Sequence, residues 1–323
     1  MKTFRLIEIA LLAIVLCLTS CSDDENPETP TPKEYTVSFG WAGEIVDITE
    51  SPLTRATTND LYGIQVYSSP SGAMSPNYTQ YAYGLFDDTS LMTIKLIEGY
   101  MYKFIITMVV DGKNKIANGN NDYCAPFVTI NGNTKLNNSF TYSTSEYLYS
   151  LQSGSIENTH HIFCLNADRY YGEVADYIPI ENGTVTVDMK RTVFGAKFIA
   201  ENLTVGVLNI KMEGTSDLAI TYPNTQNEDI FSFPDCSLAY NNAEDYTTDF
   251  TVSFSWTKDD GVVIPLGTHN ITFKRNKLTT ITIKIVENSV NNGIGVNLES
   301  ETMEDDKNLT IENGSVVETP VIP

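Results

Sequence analysis

The chain has 323 residues and a formal net charge of -21, and this length is sufficient for two domains of ordinary size. Its acidity excludes nucleic acids and anionic membrane surfaces as direct partners, because both repel a strongly negative protein. Tyrosine (18 residues) and phenylalanine (14 residues) are frequent, and these residue types favour β-strands over helices.

The N-terminus predicts a targeting segment that precedes the folded part. Two basic residues are followed by an apolar run over residues 9–18, which is too short to span a bilayer. The next residues, LTSC (18–21), are typical of a lipobox, in which small residues precede the cysteine that receives lipid. We therefore predict a signal peptide over residues 1–20 and lipidation of Cys21, with an uncleaved signal anchor as the alternative.

The residues after Cys21 predict an extended tether. The acidic run SDDE (22–25) resembles the surface-export signal of Bacteroidetes lipoproteins, and three prolines follow it. Proline-rich segments are extended and semi-rigid. Residues 21–33 are therefore expected to hold a globular part at the cell surface, away from the outer membrane into which the lipid on Cys21 would insert.

Alternating apolar residues predict strands through most of the remaining chain. YTVSFGW (35–41) places its four large apolar residues on one face, which is the pattern of a half-buried strand. YMYKFIITMVVDG (100–112) is apolar on both faces over much of its length, as expected of a central strand in a packed sheet. One short helix is predicted at 144–152, where Ser143 and Glu146 have the spacing of a capping box.

The number and spacing of these strands predict an all-β fold built from two antiparallel β-sandwiches. A loop signal at Asn182-Gly183 precedes a new run of strands. The predicted domains are therefore an N-terminal sandwich over residues 34–188 and a C-terminal sandwich over residues 189–323.

The sequence contains no motif for catalysis, so no enzymatic activity, cofactor or metal site is predicted. It has no G-x-S-x-G, no H-E-x-x-H and no phosphate-binding glycine loop. His161, Cys164 and Cys236 could be combined into a zinc site, but no C-x-x-C supports it. Acidic residues are so numerous that any two of them could be taken for a glycosidase pair, so such a pair indicates nothing.

Three cysteines remain once Cys17 leaves with the signal peptide and Cys21 carries lipid. They are Cys124, Cys164 and Cys236. Three cysteines cannot all pair within one chain, so no disulfide framework is predicted. One bridge is possible, and buried free thiols are the alternative.

A group of tyrosines leaves two interpretations open. Its members are Tyr62, Tyr67, Tyr78, Tyr81 and Tyr83. They would either pack on the faces of strands or form an exposed aromatic platform that stacks on sugars. The second interpretation gives an alternative function, an outer-membrane surface lipoprotein that binds glycans or another host or bacterial surface ligand.

Five elements, taken in their order along the chain, resemble the Bacteroidetes fimbrillins, the FimA-type pilin-like lipoproteins. They are the lipobox with its acidic follower, LTRAT (53–57), DRYYGE (168–173), MKRTVFGAKF (189–198) and ITFKRNKLTTITIKI (271–285). The resemblance spans most of the mature chain. It implies two transthyretin-like β-sandwiches and a role as a structural or accessory subunit of cell-surface fimbriae.

The resemblance also implies a maturation step by proteolysis. In the family, an arginine-specific protease cuts in the loop after the first strand, and the corresponding bond here is Arg55-Ala56. Loss of residues 21–55 would remove the lipid and expose a groove that accepts a strand from another subunit. The expected partners are therefore other fimbrial subunits, and the expected location is first the outer membrane and then the fimbrium.

In the family, the C-terminal region supplies the donated strand. Here this region ends in GSVVETPVIP (314–323), with prolines at positions 320 and 323. Because prolines limit ladder pairing, the sequence leaves open whether the chain is a shaft, tip or accessory subunit.

Overall fold

The computed structural model describes residues 32–44, 59–115, 127, 136–148, 167–233 and 243–285, and also the backbone of three strands between residues 296 and 319. The regular elements of these residues are strands and two short 3₁₀ helices, Thr89–Leu91 and Gly112–Lys115. The predicted all-β class is therefore confirmed. Within the part of the chain that is described, no helix is long and apolar enough to cross a membrane.

The first eight strands form one sheet in the order β4-β1-β8-β7-β5-β2-β3-β6. Their bounds are Glu34–Gly43 (β1), Leu61–Pro70 (β2), Thr79–Phe86 (β3), Thr93–Ile97 (β4), Tyr100–Val109 (β5), Phe140–Tyr142 (β6), Arg169–Tyr177 (β7) and Thr184–Arg191 (β8). From β8 across to β6 the neighbouring strands are antiparallel, whereas β1 is parallel to β8. β1 is thus inserted between β4 and β8.

One face of this sheet encloses a cluster of buried side chains, here called the inner core. Its residues are Val37, Ile64, Val66, Ala82, Phe86, Met92, Ile94, Leu96, Tyr102, Phe104, Ile106, Met108, Val110, Tyr170, Val185, Val187 and Met189. The two edge strands approach each other, since the backbone N–H of Lys95 on β4 donates to the Tyr142 hydroxyl on β6 (3.0 Å). The sheet therefore curls around the inner core.

The opposite face of the same sheet packs against a second cluster, the outer core. Its buried residues are Leu61, Leu85, Ile105, Val109, Phe127, Leu148, Ala167 and Tyr171. Neighbouring residues of β5 alternate between the two clusters, with Phe104 in the inner core and Ile105 in the outer core. Because β5 also pairs with β2 on one side and β7 on the other, the prediction of a central strand buried on both faces is confirmed.

The predicted helix at 144–152 is wrong for residues 144–148, and the rest of it lies outside the described residues. The Ser143 hydroxyl oxygen does accept the N–H of Glu146 (2.9 Å), as a capping residue would. Leu148, however, is buried in the outer core, and its N–H donates to the side-chain oxygen of Gln65 (2.8 Å). Burial of Leu148 and this hydrogen bond replace the next helical turn.

The later strands form two further sheets, in the orders β11-β10-β13-β14 and β12-β9-β15-β16-β17-β18. Their bounds are Val193–Glu201 (β9), Val207–Met212 (β10), Leu218–Thr221 (β11), Gln226–Ser232 (β12), Thr247–Thr257 (β13), Val263–Lys274 (β14), Lys277–Lys284 (β15), Val296–Thr302 (β16), Asn308–Glu312 (β17) and Ser315–Thr319 (β18). Side chains from both sheets form the C-terminal core, which includes Phe198 and Ile281 from one sheet and Phe254 and Phe273 from the other. These two sheets therefore pack as a β-sandwich.

The change from the first sheet to the sandwich falls between β8, which ends at Arg191, and β9, which begins at Val193. The inner core draws its buried residues from positions 37–189 and the C-terminal core from positions 194–285. The division into domains at residues 188 and 189 stays a prediction.

Candidate functional site

β1 lies in a seat formed by its two neighbouring strands and the inner core. Its register on β8 runs from Ser38 opposite Thr184 to Gly43 opposite Met189. The Ser38 N–H donates to the carbonyl of Gly183 (3.0 Å), and the hydroxyls of Ser38 and Thr184 are 3.1 Å apart. We call the space that β1 fills, between β4 and β8 and against the inner core, the β1 seat.

The apolar face of β1 points into the inner core, as predicted. Val37 is fully buried. The ring of Phe39 meets Phe104 edge to face at 5.6 Å, and Trp41 stacks on Tyr62 at 5.5 Å. Aromatic pairs of this kind stabilise by about 0.5–1.5 kcal/mol beyond the area that they bury, so the β1 seat holds its strand by apolar and aromatic contact as well as by the backbone ladder.

Tyr62, the tyrosine on which Trp41 stacks, has a raised pKa. Burial raises the pKa of Tyr62 from 10.0 to about 12, and the nearby Asp60 carboxylate adds to the shift. Both effects disfavour the charged phenolate. The neutral form of Tyr62 is therefore the form that supports β1.

β1 ends at Gly43, a position at which only glycine fits without strain. Gly43 has φ of +76°, and a Cβ built on it would overlap the Asp188 carboxylate and lie 2.9 Å from the carbonyl oxygen of Met189. An L side chain would be strained by both the backbone angle and the contact. This close approach brings Glu44, the next residue, over the end of β8.

The carboxylate of Glu44 is bound by donors from two distant parts of the chain. Its two oxygens accept hydrogen bonds from Nη1 of Arg275 at 2.8 and 3.0 Å, and one of them also accepts the backbone N–H of Arg191 at 2.7 Å. The Arg275 side chain is 4% exposed and that of Glu44 is 29% exposed. We call Glu44, Arg275 and Arg191 the Glu44 clasp.

Backbone carbonyls hold Arg275 in place. Its Nη1 also donates to the carbonyl of Arg191 (2.7 Å), and its Nε donates to the carbonyl of Ala243 (2.9 Å). Arg275 lies between β14 and β15, where the chain crosses from one sheet of the sandwich to the other. The guanidinium is therefore positioned by backbone from both the first sheet and the sandwich.

The side chain of Arg191 is fixed by a separate carboxylate. Its Nε and Nη2 donate to the two oxygens of Asp168, each at 2.7 Å, and its guanidinium lies 5.8 Å from the centre of the Tyr170 ring. Burial, the largest single effect, would lower the pKa of Arg191, but the charge and hydrogen bonds of Asp168, together with Tyr170 and Glu44, raise it overall. This bidentate pair orients the backbone N–H that Arg191 presents to Glu44.

The structure brings together three of the stretches on which the family resemblance depends. DRYYGE contributes Asp168, MKRTVFGAKF contributes Arg191 and ITFKRNKLTTITIKI contributes Arg275. All three meet at the end of β1. Sequence reasoning did not identify Glu44, since no local pattern distinguishes it from the other acidic residues.

The site residues that the sequence predicts lie outside the described residues. This applies to the lipidation site Cys21, to the processing site Arg55-Ala56, and to Cys124, Cys164, Cys236 and His161. Arg55 belongs to the segment 45–58, which joins the Glu44 clasp to β2. Among the residues that the structure does describe, no group of three His, Cys, Asp or Glu side chains is placed to hold a metal ion.

The five tyrosines do not form one exposed platform. Tyr81 packs against the inner core and its hydroxyl donates to the carbonyl of Lys95 (2.9 Å), whereas the next tyrosine on β3, Tyr83, packs against the outer core and donates to Glu146 (2.9 Å). Successive residues of a strand point to opposite faces, so residues two positions apart share a face only where the strand is regular. β3 is irregular at Tyr81, which its pairing with β2 skips between Val66–Ala82 and Tyr67–Gln80. Packing on strand faces is the interpretation that these contacts support.

Neither a protein-family model nor a curated protein matches the chain. Similar solved structures include three fimbrial proteins. The fimbrial anchor protein Mfa2 from Porphyromonas gingivalis is 9% identical with a TM-score of 0.38, and the match covers 90% of this chain and 100% of that one. The C-terminally truncated tip fimbrial protein Mfa3 from the same organism is 10% identical with a TM-score of 0.35, covering 83% and 99%. A fimbrial assembly protein from Parabacteroides distasonis is 12% identical with a TM-score of 0.34, covering 90% and 98%. Identities and TM-scores this low transfer no function to this chain.

Proposed function

We propose that this chain is a structural or accessory subunit of cell-surface fimbriae, anchored first through lipid on Cys21. After proteolysis it would be joined to its neighbours by a strand that one subunit donates into the place of β1 in the next. The observation that carries the proposal is the position of β1. It is an inner, parallel strand of its sheet, and its apolar face fills part of the inner core. A fold of this kind can lose β1 and accept another strand in the same place.

The proposed cut explains how β1 would be released. β1 is joined to β2 through the segment 45–58, which contains Arg55. A cut at Arg55-Ala56 leaves β1 held by non-covalent contacts alone. Because Cys21 lies on the same fragment, departure of β1 also releases the subunit from its lipid anchor.

An empty β1 seat has the properties of a strand-binding groove. β8 would lose the ladder partner that runs from Ser38 to Gly43, and Val37 would no longer fill its place in the inner core. Unpaired N–H and C=O groups next to an apolar groove favour addition of a strand from another chain. Such a contact is head-to-tail and does not close, so it builds a filament.

The proposed donor is the C-terminal region of another subunit. In this structure the described strands of that region, β16, β17 and β18, pair with one another and with β15 of their own chain. A donated C-terminal segment would therefore have to leave its own sheet before it enters the seat of a neighbour.

Limited proteolysis tests the proposal. The purified chain from residue 21 onward is treated with a low dose of trypsin, and the first new N-terminus and the oligomeric state are determined. We expect a first cut that leaves Ala56 as the N-terminus, followed by multimers, and we expect Arg55→Gln to remain uncut there and monomeric. A first cut elsewhere, or a product cut at Arg55 that never multimerises, would contradict the proposal.

A further inference from the structure

We propose that the Glu44 clasp is a carboxylate-binding pocket that selects the strand which replaces β1. The pocket requires an acidic residue seven positions after the residue that takes the place of Val37, and so fixes the direction and register of the incoming strand. This inference rests on the proposed exchange of β1. The partner that it identifies is an extended peptide with apolar residues at positions equivalent to Val37, Phe39 and Trp41 and a carboxylate at the position of Glu44.

The burial of Arg275 is the reason to expect a carboxylate. Its side chain is 4% exposed and its Nη1 contacts both oxygens of Glu44. When β1 leaves, Glu44 leaves with it, and the guanidinium loses the carboxylate that its Nη1 binds. Covering Arg275 again with an uncharged side chain would bury an uncompensated charge, which is strongly unfavourable. A strand that brings its own carboxylate avoids this penalty.

The Glu44 clasp distinguishes strand registers that the apolar contacts accept equally. Successive side chains of a strand alternate between faces, so a slip of one residue is already rejected by the inner core. A slip of two residues keeps the apolar residues on the correct face. It moves the acidic residue by about 6.6 Å, out of hydrogen-bonding reach of Arg275 and of the Arg191 N–H. The carboxylate is therefore what distinguishes registers that differ by two residues.

The clasp also distinguishes the two directions in which a strand could enter. The seat is parallel to β8, with Tyr35 at one end and Glu44 at the other. At the Tyr35 end, the tyrosine hydroxyl donates to the carboxylate of Glu98 (3.1 Å). A reversed strand would bring its acidic residue toward Glu98, where like charges repel, and would bring no carboxylate to Nη1 of Arg275.

The chain itself carries a second copy of the required spacing. Val37, Phe39, Trp41 and Glu44 have offsets of two, four and seven residues, and so do Ile294, Val296, Leu298 and Glu301. No other stretch of residues 286–323 has three such apolar residues followed by an acidic one at these offsets. In this structure Val296–Thr302 forms β16 and pairs with β15, so a second copy of the chain would have to free this segment to offer it.

The test measures how fast β1 leaves its seat after the chain is cut. The chain from residue 21 onward is made with the recognition site of a sequence-specific protease within residues 51–58 and a fluorophore on the N-terminus. After cutting, release of the labelled fragment is followed in an excess of unlabelled amidated peptide 34–46, at urea concentrations below those that unfold the sandwich. The variants are Glu44→Gln, Glu44→Asp, Arg275→Gln combined with Glu44→Gln, and the control Glu98→Gln.

We expect Glu44→Gln to accelerate release by about tenfold or more, because truncating one partner of a buried charge pair acts on the dissociation rate. Glu44→Asp keeps the charge but shortens the reach, so its rate should lie between wild type and Glu44→Gln. Adding Arg275→Gln to Glu44→Gln should slow release again, since the buried charge is then absent. Glu98→Gln, at the exposed opposite end of β1, should stay within about twofold of wild type.

Two results would overturn the inference in different ways. Equal release from wild type and Glu44→Gln would show that the clasp does not select a carboxylate, while exchange of β1, and with it the proposed function, would stand. If the whole chain unfolds before any variant releases its fragment, β1 is not exchangeable, and the inference and the strand exchange fail together.

Discussion

Arg275 and Glu44 lie 231 residues apart in the sequence, and their side chains form an ion pair of 2.8 Å at the end of β1. The pair ties the residue that follows β1 to the crossing between β14 and β15. Forming a buried ion pair contributes little net stability because both charges lose water, but removing one partner leaves the other charge uncompensated. This asymmetry makes Glu44 and Arg275 informative positions for substitution.

Glu44→Gln should lower the free energy of unfolding by roughly 2–4 kcal/mol. The substitution keeps the size of the side chain and removes the charge that Arg275 faces. Urea denaturation of the uncut chain, with the inner and C-terminal cores monitored by the fluorescence of Trp41 and Trp256, measures the change.

The control for this substitution is the neighbouring exposed pair. Lys274 and Asp245 are 2.5 Å apart, and the Asp245 side chain is 85% exposed. Solvent screens such a pair, so Asp245→Asn should leave the free energy of unfolding unchanged within error. Equal effects of Asp245→Asn and Glu44→Gln would contradict the burial of Arg275.

Val37→Ala should lower the free energy of unfolding by about 2 kcal/mol, since it removes two methyl groups from a fully buried position and leaves a cavity in the inner core. Thr36→Ala, one residue earlier on the exposed face of β1, should change it by less than about 0.5 kcal/mol. Urea denaturation of the two variants side by side measures the difference. A similar effect of both would mean that β1 does not seat its alternate residues in the core.

Local patterns made part of this fold predictable. The alternation in YTVSFGW gave the buried face of β1, and the continuous apolar run of β5 gave a strand buried on both faces, because the two-residue period of a strand is visible within a few residues. The pairing of β1 with β8 was not predictable in this way. It depends on a contact between strands about 145 residues apart in sequence, for which no local signal exists.

The predicted helix that is absent and the site residue that was missed have the same cause, which is contact between residues far apart in the sequence. Ser143 and Glu146 make the hydrogen bond of a capping box, yet no helix follows through residue 148, because Leu148 enters the outer core. Arg191 and Arg275 stood out as members of stretches that resemble a family, but their common target, Glu44, is one of 41 acidic residues. In each case, tertiary contacts decided what the local sequence left open.

Alkaline pH should lower the free energy of unfolding through ionisation of Tyr62. The folded pKa of about 12 exceeds the ordinary value of 10.0, so the unfolded chain loses this proton first. The contribution of neutral Tyr62 to the free energy of unfolding is fully present below pH 10 and is lost as the pH rises to about 12. Tyr62→Phe should therefore show a shallower decline of the free energy of unfolding over this range than wild type, as measured by urea denaturation at several pH values.

The control for this pH dependence is Tyr222→Phe. The side chain of Tyr222 is 51% exposed, and the variant should follow the wild-type curve. If Tyr62→Phe also follows the wild-type curve, Tyr62 is not buried beneath Trp41 as the structure places it.

Gly43→Ala should lower the free energy of unfolding by about 2 kcal/mol more than Gly72→Ala does. Both glycines have positive φ, +76° for Gly43 and +85° for Gly72, so both substitutions carry the same backbone strain. A Cβ on Gly72 meets nothing within 4 Å, whereas one on Gly43 overlaps the Asp188 carboxylate. The difference between the two variants in urea denaturation thus isolates the close approach that delivers Glu44 to Arg275. If the two variants are equally destabilised, the end of β1 can move away from β8 at no cost, and the Glu44 clasp does not depend on the position of Gly43.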